Sequence, residues 1–119
     1  MTETDLLFLF LSEVPKRLPT VRAFRRAIFR RQEMADGYFM SAGIPGQCDV
    51  YAYVKGGRVI EIELKAAKGR MREAQARWRT LCQEWGVPHL VLRAGKGEAA
   101  EATVVRWVSE LKACVESLG

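Results

Sequence analysis

Apolar positions early in the chain, Leu6, Leu7, Phe10, Leu11 and Val14, recur at helical spacing. Thr4-Asp5 is placed to cap that helix, and Pro15 and Pro19 are placed to stop it. Residues 21–31 fit either a helix or a strand; we take the extended reading, in which this segment pairs with residues 38–41. Residues 49–54 and 58–65 are β-rich runs joined around Gly56-Gly57, a hairpin signal. A helix follows over residues 71–85, with Ala74, Trp78, Leu81 and Trp85 on one face and Gly86 at its end. Residues 87–93 read as a short apolar strand and Gly95-Lys96-Gly97 as a turn. Residues 102–118 close the chain as a helix with Val104, Trp107, Val108, Leu111 and Val115 inward. All three tryptophans fall at helix-core positions in this reading. The order implies an α/β or α+β domain around a mixed sheet.

The hairpin's register follows from its pattern. A strict two-residue loop would pair Val54 with Val59 and place Glu61 and Glu63 beside Val50 and Ala52. Shifting by one opposes Val54 to Arg58 and Asp49 to Glu63. One face then carries Val50, Ala52, Val54, Ile60, Ile62 and Leu64, and the other Asp49, Tyr51, Tyr53, Glu61, Glu63 and Lys65. A slip of one residue flips every side chain, so burial selects the second register. Lys55-Gly56-Gly57 can supply the three-residue bulged loop it needs.

Composition narrows the function classes. The 119 residues are 49% hydrophobic, enough for one core and a single domain over residues 1–119. Lys and Arg number 19 against 14 Asp and Glu, so a net charge of +5 admits a polyanionic partner without naming one. The longest apolar run, residues 6–11, is far below the roughly 20 residues that span a bilayer. Without a basic stretch before it or a cleavage site after it, it does not read as a signal peptide. Three widely spaced cysteines and one histidine, His89, argue against a disulfide framework, a zinc site or a serine–histidine hydrolase. The expected setting is cytoplasmic, with no membrane partner. His89 reads as a structural strand residue.

The chemistry lies on the hairpin's polar face. Directly opposed side chains sit roughly 5 Å apart, so Asp49 and Glu63 repel unless a cation lies between them. A hard divalent ion suits such oxygen ligands and keeps water and phosphate in its shell. Lys65, two residues along the same face, could orient the attacking water or stabilise charge on a phosphate oxygen. An isolated Glu-x-Lys on a strand is more often a structural ion pair on an exposed face.

The surrounding residues are more specific. Gly43-Ile44-Pro45-Gly46-Gln47-Cys48-Asp49, then Ile60-Glu61-Ile62-Glu63-Leu64-Lys65, then Gln75 and Gly86, resemble the VRR-NUC family of the PD-(D/E)XK nuclease superfamily. The resemblance runs over residues 43–93, in a small stand-alone member of the phage type. It implies an αβββαβ restriction-endonuclease-like core with a C-terminal helix, and metal-dependent cleavage of DNA. It implies Asp49 and Glu63 as ligands of Mg²⁺ or Mn²⁺, Lys65 as the water-orienting cation, and Gln75 as support from the following helix. Family members usually add an acid from the first helix, for which Glu3 is the candidate and Glu13 the runner-up. Branched DNA such as four-way junctions, a homodimer, and a bacterial or phage-infected cell are further implications. No proline directly precedes Asp49, although Pro45 lies four residues earlier. The rival reading is a nucleic-acid-binding module that keeps the fold without cleaving.

Arginines and lysines supply candidate DNA contacts: Arg25, Arg26 and Arg30 before the hairpin, and Lys68, Arg70 and Arg72 after it. Arginine suits phosphate through bidentate contacts, and a solvated charged face is the alternative for any one of them. Tyr51 and Tyr53 share the carboxylate face, where they could stack on unpaired bases or simply pack on the sheet.

Overall fold

Alternation along 58–65 builds the central strand, and the rest of the fold covers its two faces. The computed structural model describes residues 2–26, 29–33, 39–42 and 44–119, with side chains described in 2–26 and 44–119. Its order is α1 (Glu3–Arg17), β1 (Val21–Arg25), β2 (Phe29–Glu33), β3 (Phe39–Ala42), β4 (Val50–Val54), β5 (Arg58–Lys65), α2 (Glu73–Trp85), β6 (His89–Arg93) and α3 (Ala100–Ser117). A mixed four-stranded sheet runs β1-β4-β5-β6, and β2 and β3 form a separate antiparallel pair. The described chain is therefore an α/β fold with three helices.

The hairpin has the register that burial selects: Val54 faces Arg58, Ala52 faces Ile60 and Val50 faces Ile62. All six apolar-face residues are buried. Gly56 and Gly57 turn the chain at φ +103° and +88°, in the left-handed region that β-carbons disfavour. α1 and α3 pack on this apolar face, where the Phe10 and Trp107 rings meet edge-on at 5.9 Å. β6 pairs with β5 in parallel, as the intervening helix requires.

Four expectations change. The N-cap of α1 is Thr2, locked with Asp5 in a capping box, rather than Thr4-Asp5. Pro15 lies inside the helix: it removes one N–H, yet Leu18 N–H still bonds the Val14 carbonyl at 2.8 Å, and the helix ends only before Pro19. Residues 21–25 pair with β4 instead of 38–41, because Val21 and Ala23 extend the apolar face over Val54 and Ala52; only the second half of that segment, β2, pairs with β3. Trp85 is 73% exposed. The inward face of α2 runs instead through Gln75, Trp78 and the buried Cys82, because α2 covers the polar face of β5 and must supply hydrogen-bonding groups there.

Candidate active site

Beyond Val59 every residue of β5 is buried, so its polar side chains are forced to find partners. Glu61 and Glu63 are each 4% exposed and Lys65 7%. Gln75, in the first turn of α2, binds both members of the Glu-x-Lys pair. Its Nε2–H donates to Glu63 Oε1 at 2.9 Å, and its Oε1 accepts from Lys65 Nζ at 2.7 Å and from the Arg72 backbone N–H at 2.9 Å. One acceptor and two donors thus fix which end of the carboxamide points where. Lys65 Nζ stays 3.8 Å from Glu63 Oε1, too far for a hydrogen bond. The amide thus bridges the two members of a long ion pair.

Burial pushes the Glu63 carboxyl above its ordinary value; Lys65 opposes this, and the charges of Asp49 and Glu3 add to it. Asp49 is exposed and directly precedes β4, outside the β4–β5 ladder that ends at the Val50–Ile62 pair, and its charge reaches Glu63. Glu3 enters from the first turn of α1. Glu13 lies at the other end of that helix, paired with Arg17 at 3.0 Å and Lys16 at 3.5 Å. Two carboxylate oxygen donors suit a hard divalent cation, although Glu63 also has a long ion pair to Lys65 and the Cys48 thiol beside it. Among the described residues no three His, Cys, Asp or Glu side chains converge on one point.

The glycine turn ahead of Asp49 has a role that its pattern did not disclose. Gly46 takes φ +83° against the start of α2, where an added β-carbon would stand 2.0 Å from the Ala74 carbonyl oxygen and 2.6 Å from the Gln75 nitrogen. Only glycine lets the turn approach the α2 backbone at Ala74 and Gln75 this closely.

Glu61, on the same face, has a different environment. The Arg26 guanidinium closes on it through two bonds of 2.8 Å, and Trp78 Nε1–H adds a third at 3.2 Å. Arg26 also donates to the Cys48 carbonyl at 2.7 Å, and its backbone N–H to the Asp49 carbonyl at 2.6 Å. This arginine is therefore engaged inside the protein rather than presented to a phosphate. Sequence reasoning missed it as the clamp on Glu61 and the Cys48-Asp49 backbone; no local motif pairs residues 22 to 35 apart.

The remaining basic candidates separate. Arg25 pairs with Val50, on the apolar side of the sheet, and lies over the Phe8 ring at 5.8 Å, away from the carboxylates. The Arg30 side chain lies outside the described residues. Lys68, Arg70 and Arg72 are exposed on the β5–α2 connection. That loop is held by Arg93, whose guanidinium donates to the Ala66 carbonyl at 3.2 Å and to the Gly69 carbonyl. His89 Nε2 lies 3.3 Å from the buried Cys48 Sγ. Burial lowers the imidazole's pKa and raises that of the thiol, and the charges of Glu63 and Glu61 raise the thiol further. An anionic surround that disfavours the thiolate leaves Cys48 unsuited to nucleophilic work.

None of the helices described is long and apolar enough to cross a membrane. Compared with protein-family models, curated proteins and solved structures, the chain matches none of them.

Proposed function

We propose that the protein is a metal-dependent DNA endonuclease of the PD-(D/E)XK type, cutting branched DNA of the four-way-junction class. The observation that carries this reading is the Glu63–Gln75–Lys65 bridge at the buried end of β5, on which the charge of Asp49 acts. A buried carboxylate near a second acid, with its ammonium partner held at 3.8 Å, is costly for a merely structural face. The αβββαβ order of the resemblance has counterparts in α1, β1, β4, β5, α2 and β6.

Asp49 and Glu63 would hold Mg²⁺ or Mn²⁺, which supplies a Lewis acid for the phosphate and lowers the pKa of the attacking water. Lys65 orients that water and meets charge that develops on the phosphate oxygen. Gln75 bridges Lys65 and Glu63 and holds both side chains in place. Lys68, Arg70 and Arg72 meet the DNA backbone beside the cut, and a homodimer presents two such sites to a junction.

The test is incubation of the protein with four-way-junction and linear DNA in Mg²⁺, Mn²⁺ or EDTA. Cleavage should require the divalent ion, and Lys65→Ala should slow it by about 10²–10³-fold, the usual loss of one electrostatic stabiliser. Cleavage by Lys65→Ala at the unmodified rate defeats the mechanism. If no DNA is cut with any divalent ion, the non-cleaving binding module takes its place.

A further inference from the structure

α2 covers only part of the sheet's polar face, and the part over β1 and β4 carries aromatic rings. Cross-strand pairing sets Phe24 against Tyr51 and Arg22 against Tyr53, all on the face of Glu63. The three rings form one cluster, with centroids 5.2–5.6 Å apart. Tyr51 is half-buried, with Phe24 stacked on it and the Arg26 guanidinium 4.6 Å from its ring centroid. Tyr53 is 54% exposed and Phe24 39%. The cluster thus presents aromatic surface to solvent.

Beside Tyr53, at the hairpin tip, lies a groove of about 660 Å³. Arg22, Lys55 and Arg58 line it together with Tyr53 and Val59, and no carboxylate does. Arg22 donates to the Pro19 and Val21 carbonyls and Arg58 to the Leu118 carbonyl. Neutral carbonyls leave both charges in place. Among the described residues none of the three cations is in a salt bridge.

We propose that this aromatic cluster and its cationic groove bind an unpaired stretch of nucleic acid. Bases stack on Tyr53 and Phe24, and the phosphates take Arg22 and Lys55. Stacking is indifferent to base identity, and a positive groove follows the backbone; the two together are how single strands are held. A second copy of the chain fits the patch poorly. A two-fold contact sets a patch against itself, and here it would oppose cations to cations with no acid between them. The site shares with the nuclease reading only the supposition of a nucleic-acid partner. Tyr53 lies four residues from Asp49, about 13 Å along the strand, so a single strand leaving a junction reaches both.

Fluorescence anisotropy with a labelled twelve-nucleotide oligothymidylate in EDTA separates binding from cleavage, so either idea can fail alone. The oligonucleotide should bind more tightly than a duplex of equal length. Tyr53→Ala should weaken it by roughly five- to a hundredfold, Tyr53→Leu likewise, and Tyr53→Phe hardly at all. Arg22→Ala and Lys55→Ala should each lower the slope of log K against log salt by about 0.7. Tyr53 is exposed, so these variants should melt as the parent does. Unchanged binding by Tyr53→Ala, or full binding by Tyr53→Leu, overturns the proposal. So does a dimer that Tyr53→Arg converts to monomer in sedimentation velocity, which would make the patch a self-contact.

Discussion

Glu61 and Glu63 stand two residues apart on one strand, point to one face, and are equally buried, yet their surroundings differ. Glu61 has a guanidinium fork and an indole N–H closed upon it. Glu63 has an amide, a lysine kept at 3.8 Å, and the charges of Asp49 and Glu3 acting against it. One carboxylate is compensated and ties β1, β4, β5 and α2 together. The other is less fully compensated, and on the proposed reading it would take up a cation. Burial alone does not separate the two acids; their partners do.

The sharpest way to break this comparison is to neutralise each acid in turn. Glu63→Gln should reduce divalent-dependent DNA cleavage by at least about 10²–10³-fold, while thermal stability holds or rises, because a repelled buried charge has been removed. Glu61→Gln should do the reverse in kind. It leaves Arg26 facing an uncharged partner and should lower the unfolding free energy by about 3 kcal/mol, the scale for breaking a buried pair. Urea titrations of the two variants, run beside a cleavage assay, test both. Equal destabilisation by the two would mean that both glutamates are structural.

A double substitution sharpens the point, with a smaller expected effect. If Arg26 serves Glu61, then Arg26→Met with Glu61→Leu should recover much of the stability lost in either single variant, since two apolar groups replace a buried pair at little cost. Additive losses in the double-mutant cycle would show that Arg26 acts mainly through the Cys48 and Asp49 carbonyls.

How far this contrast could be seen in the residue pattern is instructive. The hairpin, its register and the candidate trio Asp49, Glu63 and Lys65 were legible, because period-two alternation fixes which side chains share a face. Gln75 was legible only as a residue flanking an apolar stripe. Three things were not legible, and each depends on contact across the fold. The Arg26–Glu61 pair links residues 35 apart. The inward face of α2 was misplaced because periodicity counts apolar residues, and this helix packs through a carboxamide, an indole N–H and a thiol. The split of residues 21–31 into two strands of different sheets depends on β4 offering an edge to β1.

Gly46 tests the contrast from the backbone. A methyl group there meets the Ala74 carbonyl at 2.0 Å and asks a non-glycine residue to hold φ +83°. Gly46→Ala should therefore cost about 1–3 kcal/mol and move α2 off the sheet at Gln75. Cleavage should fall further than stability predicts, because Gln75 bridges Glu63 and Lys65. If cleavage falls only in proportion to the folded fraction, the turn does not position the site.

The smallest expected effect concerns a third carboxylate, Glu98, compensated as Glu61 is but nearer to water. It accepts from Arg106 at 2.8 and 3.1 Å, from the Thr103 hydroxyl at 2.7 Å and from the Gly95 N–H at 2.9 Å. These bonds, Arg106 first, hold its pKa down at about 2, against 4.5 for an ordinary glutamate. A carboxyl depressed on folding adds stability above its unfolded pKa and loses it as pH falls through the folded value. The contribution of Glu98 is therefore whole above about pH 4.5 and fades toward pH 2. Melting curves of Glu98→Gln should lie a few degrees below the parent at neutral pH and converge on it across that acid window. Curves that stay parallel down to pH 2.5 would mean that the carboxylate charge adds nothing here. Compensation by partners would then count only where water is excluded, as it is at Glu61.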